Sequence, residues 1–168
     1  TATGQLSLKA QPDYETKASY SISVVSTDVG GKSYSKAFDI KISDANDTPT
    51  ITSTGITSST EDSVYTYTFS ASDVDSGDTI TYAATTLPSW LSFDSATGVL
   101  SGTPTNSEVG THSVVLTATD SNSAVDTQSF TITVSNVNDT PTVTSTAVTA
   151  STEDSAYSYT FAASDVDS

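Results

Sequence analysis

The sequence predicts an all-β chain, a string of antiparallel β-sandwiches, and three observations carry that prediction. Apolar residues recur at every second position over short runs, the pattern of strands with one buried face. Turn-forming clusters separate those runs, as in "DVDSGD" (73–78), "DSATG" (94–98) and "TDSNSAVD" (119–126). The chain also repeats itself at a fixed offset of 92 residues, too long for one turn of a solenoid and close to the length of an autonomous sandwich domain. No stretch carries a helical period.

The repeat divides the chain. "TPTITSTGITSSTEDSVYTYTFSASDVDS" (48–76) and "TPTVTSTAVTASTEDSAYSYTFAASDVDS" (140–168) agree at 22 of 29 positions. The same offset aligns "DYETKASYSISVVSTD" (13–28) with "TNSEVGTHSVVLTATD" (105–120), and "KAFDIKISDAND" (36–47) with "QSFTITVSNVND" (128–139). Residues 1–47 therefore read as the second half of one copy, 48–139 as a complete copy, and 140–168 as the opening of a third.

Within the complete copy, Tyr65, Tyr67, Phe69 and Ala71 alternate with Val64, Thr66, Thr68 and Ser70, predicting one strand over 64–71. Val114, Leu116 and Ala118 alternate with Val115, Thr117 and Thr119. Phe130, Ile132 and Val134 alternate with Thr131 and Thr133. Each run has an apolar face for a core and a hydroxyl-rich face for water. The outer copies lack strands that would complete a core, so each should expose an open edge, and 48–139 alone should be independently stable.

Composition narrows the function. Twenty Asp and Glu against five Lys and Arg give a formal charge of −15 and a pI near 4.1. Such a polyanion is a poor match to nucleic acid, which needs Lys and Arg against its phosphates, and is repelled by anionic membranes. Cations are the natural small partners. The absence of Cys excludes disulfides and thiolate metal sites, so a small extracellular domain needs another staple, and a metal is one option. No apolar window reaches the roughly 18 residues of a membrane span.

The carboxylates fall mostly at strand ends: Asp13 and Glu15 before a strand, Asp44, Asn46 and Asp47 after one, Asp73 and Asp75 after the Tyr/Phe strand, Asp120 at the end of another. Successive strand ends alternate between the two poles of a sandwich, so one linker can gather acids from two domains. Carboxylates ~4 Å apart repel by roughly 4 kcal/mol at an effective dielectric of ~20. A calcium ion answers that repulsion, because it takes ~6–8 oxygen ligands in flexible geometry. Zinc or copper would want His or Cys, and the chain has one His and no Cys.

On these residues the chain resembles the cadherin repeat. "DYE" (13–15) is similar to that family's Asp-x-Glu motif, "DAND" (44–47) followed by Thr48-Pro49 to its Asp-x-Asn-Asp linker, and "DVD" (73–75) to its Asp-x-Asp motif, with Asp120 at the place of its late single Asp. Residues 87–120, "LPSWLSFDSATGVLSGTPTNSEVGTHSVVLTATD", resemble the dystroglycan-type cadherin-like domain of bacterial surface proteins. The resemblance implies Greek-key, Ig-like sandwiches in tandem and calcium at the junctions. At the first junction it implies Asp13 and Glu15 from upstream, Asp44, Asn46 and Asp47 from the linker with the carbonyls of Ala45 and Thr48, and Asp73, Asp75 and Asp120 from downstream. The family also uses a Glu from the first strand region of the upstream domain, which copy one lacks. At the second junction it implies Glu61, Asn136, Asn138, Asp139, Asp165 and Asp167, with Glu108 one position late against the "DYE" register. Asn136 replaces the first linker Asp, so weaker binding or fewer ions are expected there. Asp28 would serve a junction further upstream.

Each of these features has a plainer reading. Asp-x-Asp in a loop is ordinarily turn chemistry, but its recurrence at 165–167 and the linker motif outweigh that. General surface acidity explains −15 without explaining its periodic placement. An EF-hand fails because the twelfth position from Asp73 is Ala84. His112 fits a structural strand-end role, and Trp90 a core plug rather than a sugar platform. No nucleophile–base pair is visible, so no enzyme is expected. The expectation is thus a calcium-binding extracellular repeat segment that rigidifies a cell-surface adhesin, with neighbouring repeats and a cell-surface protein or polysaccharide as partners. The alternative is a carbohydrate-binding module of a secreted polysaccharide-acting protein.

Overall fold

The computed structural model describes residues 4–167; Thr1–Thr3 and Ser168, assigned above to the first and third copies, lie outside the described residues. Strands β1 (Ser19–Thr27) and β2 (Ser33–Lys41) form an antiparallel hairpin. The complete copy holds β3 (Thr50–Ile51), β4 (Ser58–Thr60), β5 (Tyr65–Thr68), β6 (Ala71–Ser72), β7 (Thr81–Thr86), β8 (Leu91–Asp94), β9 (Val99–Gly102), β10 (Gly110–Thr119) and β11 (Val125–Ser135). A single 3₁₀ turn at Asn106–Glu108 leads into β10. Strands β12 (Thr142–Val143) and β13 (Ala163–Ser164) pair in the third segment. Among the described residues, no helix is long and apolar enough to cross a membrane.

Two sheets make the sandwich of the complete copy. One has the order β4-β11-β10-β7, in which β4 runs parallel to β11 and the other pairs are antiparallel. The other has the order β5-β9-β8. Their inner faces meet in a core of Tyr65, Tyr67, Phe69, Leu91 and Leu100 from one side and Val114, Leu116, Ala118, Ile132 and Val134 from the other. Eight of these ten are alternating positions of the three apolar runs, since the period of a strand is two, and Leu91 and Leu100 come from β8 and β9. The buried tyrosines keep their hydroxyls satisfied: Tyr65 donates to the Ile56 carbonyl at 2.8 Å, and Tyr67 bonds Gln128 Oε1 and Ser53 Oγ at 2.7 Å. Burial and the nearby Tyr67 push the Tyr65 phenol up to about 12. Phe69 meets the edges of Tyr82 and Phe93, with ring centroids 5.2 and 6.4 Å away.

The run over 64–71 is one strand by pattern and two in the structure. After Phe69 the chain leaves the β5-β9-β8 sheet, and β6 pairs with β3 instead. The switch is held by Ser70, whose N–H donates to Ser53 Oγ at 2.8 Å, and by Phe69, whose N–H donates to the Gly98 carbonyl at 2.8 Å. Gly98 has φ +72°, and a Cβ there would lie 2.4 Å from the Phe69 carbonyl oxygen, so the β8–β9 turn admits only glycine.

The outer segments keep their local shape and show their apolar sides. The β1–β2 hairpin leaves Val24, Tyr34 and Phe38 exposed. In the third segment Tyr157 and Phe161, the counterparts of Tyr65 and Phe69, are 54% and 65% exposed against 4% and 1%. The segment supplying the opposite sheet is what separates the two cases.

Candidate metal centre

Three groups of carboxylates gather at the poles of the complete copy. At the first junction, oxygens of Glu15, Asp44 and Asp75 lie within 4.8 Å of one another, and so do those of Asp73, Asp75 and Asp78. At the second, the same spacing joins Glu61, Asp139 and Asp167. Two of these groups draw on segments far apart in sequence, brought together at the linkers, while Asp73, Asp75 and Asp78 belong to one loop.

The first junction is organised by hydrogen bonds between linker and loops. Asp47 donates its N–H to Asp75 Oδ2 at 2.7 Å, and Asp75 donates its own to Asp73 Oδ1 at 3.0 Å. Asn46 donates to Asp120 Oδ2 and to the Asp47 carbonyl, both at 2.8 Å, and accepts from Asn122. Asp120 is buried, and its other oxygen takes the N–H groups of Asn122 and Ala124 at 2.9 and 2.8 Å. The Asn46 amide and those N–H groups hold the Asp120 carboxyl below the ordinary carboxylate range. Asp13 lines a cleft with Glu15, Ala45, Asn46 and Asp47. Both its oxygens are taken by Thr16, which lowers its pKa. Thr48 lies exposed beside the linker.

Repulsion marks the close groups. The Glu15 backbone N–H favours its ionised form, but desolvation and the neighbouring Asp44 outweigh it, and its pKa is raised. For Asp75 the bond from the Asp47 N–H is likewise overcome by desolvation and the charges of Asp44, Asp73 and Asp47. Asp139 is raised by desolvation, then by Asp167, Glu61, Asp62 and Asp165.

At the second junction Glu61 is 1% exposed, and its Oε1 accepts from the Val137 N–H. Asp139 donates its N–H to Asp167 Oδ2, and Asn138 closes on the Asp139 carbonyl at 2.8 Å. Asp165 accepts from the Asp167 N–H at 2.9 Å. Asn136 accepts from Asn106, which also reaches Asp167 Oδ1 at 3.1 Å. Glu108 stands outside the group. Its carboxylate closes a capping box with Thr105 N–H at 2.8 Å and Thr105 Oγ1 at 2.7 Å, which lowers its pKa. The one-residue shift from the "DYE" register accounts for this: the chain spends its only acid there on the 3₁₀ turn, and Asn106 faces the junction in its place.

Asp78 was not among the residues singled out by motif. It lies three positions past Asp75 in "DVDSGD", accepts from Ser121 at 2.6 Å, and completes the second group. The acid pair before the glycine was legible; the turn through Ser76 and Gly77 that brings Asp78 back beside Asp73 was not.

The donor set suits a hard cation. Among the described residues, five buried side-chain polar atoms lack a hydrogen-bond partner, and four are carboxylate oxygens: Glu61 Oε2, Asp73 Oδ2, Asp75 Oδ1 and Asp78 Oδ2. All four belong to the acidic groups. Buried anionic oxygens without donors are costly unless a cation meets them. Every such ligand is oxygen, the set that calcium or magnesium takes.

Comparison with known proteins follows this geometry. Residues 48–135 match the He_PIG family model, described as "Putative Ig domain". A 93-residue stretch is 38% identical to the serine-rich adhesin for platelets of Staphylococcus aureus strain USA300, covering 55% of this chain and 4% of that protein. The equivalent adhesin of strain MRSA252 matches at the same identity over 7% of its length. The chain thus spans a small fraction of the curated relatives it matches. Among solved structures, cadherin domains 1–5 of protocadherin gamma B2 superpose with a TM-score of 0.59 at 22% identity, covering 93% of this chain and 34% of that one. Mouse cadherin-23 EC22–24 gives 0.54 at 22% identity, over 76% and 45%. At these identities the likeness establishes the fold, a cadherin-like, Ig-like β-sandwich.

Proposed function

The chain belongs to the He_PIG family of Ig-like domains, and from that premise we propose that it is a segment of an extracellular, cell-surface adhesin whose cadherin-like repeats bind calcium at their junctions and are rigidified by it. The observation that carries the reading is the set of four buried, donorless carboxylate oxygens confined to the acidic groups. Glu15, Asp44, Asp73, Asp75 and Asp78 would hold ions at the first junction, and Glu61, Asp139 and Asp167 at the second. A bound cation supplies positive charge between groups that otherwise repel. Asn46 and Asn106 keep the linkers against the adjoining loops, so that the acids of two repeats share one space.

The similarity to a staphylococcal adhesin supports the adhesive and extracellular parts of the reading. The role is non-catalytic. The aromatic residues argue against a sugar platform: Tyr65 and Tyr67 are buried, and Trp90 stands edge-on between Tyr65 and His112 at 5.9 and 5.8 Å.

Thermal unfolding in EDTA, in calcium and in equal magnesium tests the reading. Extracellular modules bind calcium at ~10⁻⁴–10⁻³ M, so millimolar calcium should raise the melting temperature. One site at ~100-fold saturation contributes about 2.7 kcal/mol. Asp75→Ala, which strikes both groups of the first junction, should remove most of the gain. A melt unchanged by calcium would reduce the clusters to surface charge.

A further inference from the structure

Residues 50–56 lead from the first junction to β4, and much of what holds them is side chain. β11 supplies three of the holds, at alternate positions. Asp126 Oδ2 accepts the Ile51 N–H at 3.0 Å, and Gln128 Nε2 donates to the Ser53 carbonyl at 2.6 Å. The Phe130 ring lies so close to Gly55 that a Cβ there would stand 2.7 Å from it. Ile51 and Ser53 each stand 75 positions before their partner, the register in which β4 then meets β11 through its main chain, with Ser58 opposite Thr133. The two segments thus run parallel throughout. Side chains bridge the first half of the path, and main-chain bonds close the second.

The bed beneath this strap is polar. Asp126 and Gln128 share a side of β11 with Phe130, Ile132 and Val134, so the core-facing positions turn polar where the strap lies. Tyr67 OH bonds both Gln128 Oε1 and Ser53 Oγ, and Tyr65 OH donates to the Ile56 carbonyl. No residue from 50 to 57 is buried. Lifting the strap therefore breaks polar contacts that water replaces and uncovers little apolar surface, which places it at the low end of local stability. Beyond it the hold changes: the Thr133 N–H donates to the Thr57 carbonyl at 2.9 Å, and Glu61 is buried.

The other side of the strap continues the first junction. Asp47 donates its N–H to Asp75 Oδ2, Thr50 lies opposite Ser72, Ile51 lies opposite Ala71, and the Thr52 N–H donates to the Ser70 carbonyl at 2.9 Å. This is one antiparallel register from the acidic linker into the strap, so a strap that lifts loosens the linker from the "DVD" loop. We propose that residues 50–56 form an opening strap, that Asp126 and Gln128 are its positioning residues, and that its closure is coupled to cation binding at the first junction. The coupling rests on the calcium reading of that junction; the opening does not. A closed strap keeps the linker against Asp75, and a cation shared by Asp44 and Asp75 holds down the strap's leading end. Each event favours the other by the same factor.

Hydrogen exchange resolved by amide on the full chain, with a calcium titration followed by NMR, tests both parts. In EDTA the amides of Ile51, Ser53 and Ser70, the last bonded to Ser53 Oγ at 2.8 Å, should exchange about tenfold or more faster than that of Thr133, after correction for intrinsic rates. Calcium should slow these three by about fivefold or more beyond any change at Thr133. Gln128→Met, neutral and of similar length, removes the bond to Ser53. It should speed exchange at the three amides and leave Thr133 protected, which shows that the sandwich is intact. It should also weaken calcium about fivefold or more at the Asp47 and Asp75 amides and leave Asp139 and Asp167, at the second junction, unmoved. A merely structural Gln128 would not shift affinity at one junction alone. Strap amides no faster than Thr133 would overturn the strap. Equal first-junction affinity in the two chains would overturn the coupling alone, and no calcium response at Asp47 and Asp75 would overturn the coupling together with the calcium reading.

Discussion

Asp75 belongs to two acidic groups at once, accepts the Asp47 N–H and still keeps one oxygen without a donor. Its pKa is raised, as are those of Glu15 and Asp139. Such groups bind more protons folded than unfolded, so the stability they contribute falls as pH rises past the ordinary carboxylate value of about 4. Asp13, Asp120 and Glu108 are lowered, and their contribution is present above that value and lost as pH falls below it. In EDTA the melting temperature should therefore peak in mild acid and decline toward neutrality. Saturating calcium should flatten or reverse the upper slope, because a cation favours the ionised forms. A series of melts from acid to neutral pH, with and without calcium, checks both slopes. Glu61→Gln isolates the second junction: it keeps an acceptor for Val137 and removes the buried charge. The calcium-free melt should rise and the calcium-dependent increment should shrink, whereas a purely structural Glu61 would give a lower melt and an unchanged increment.

At the scale of elements, what alternates was readable and what switches sheets was not. β10 and β11 stand where the apolar alternation placed them, because each is long and buries one face throughout. The run over 64–71 alternates just as regularly, yet breaks into β5 and β6, since alternation records facing and not partnership. The decisive contacts, Ser70 with Ser53 and Phe69 with Gly98, are separated by 17 and 29 positions and leave no periodic trace. The acidic loops behaved alike: "DVD" was legible as a repeated motif, while the place of Asp78 depended on a turn, and Glu108 went to a cap. Gly98→Ala should destabilise the β8–β9 turn by at least the ~1–3 kcal/mol of a strained backbone, read as a lower chemical-denaturation midpoint. Gly77, with nothing near its missing side chain, should cost less despite its positive φ.

At the scale of the molecule, the buried hydrophobic core of the described residues lies within 48–139. Phe69→Ala should cost about 3–5 kcal/mol, the usual range for a buried phenylalanine. Phe161→Ala, the same substitution one repeat later, should leave the main unfolding transition of dilute chain within about 0.5 kcal/mol. Calorimetry on both variants would measure how far the cooperative unit coincides with residues 48–139. The proposed calcium sites join this unit to its neighbours, so small-angle scattering should give a narrower spread of interdomain distances in calcium than in EDTA.

The parallel pairing of β4 with β11 has one more consequence. These strands lie near the start and the end of the complete copy, side by side and running the same way. Tension applied through the linkers would drag them in opposite directions along their shared axis. The bonds between them, including Thr133 N–H to the Thr57 carbonyl at 2.9 Å and Glu61 N–H to the Ser135 carbonyl at 3.1 Å, lie across that pull and would bear the load together rather than one after another. Under force, lifetime is set by the unfolding rate rather than by equilibrium stability. A repeat fastened in this way is suited to hold under strain, and Glu61, with its N–H in the shear clasp and its carboxylate in the acidic group, joins that resistance to the ionic state of the junction.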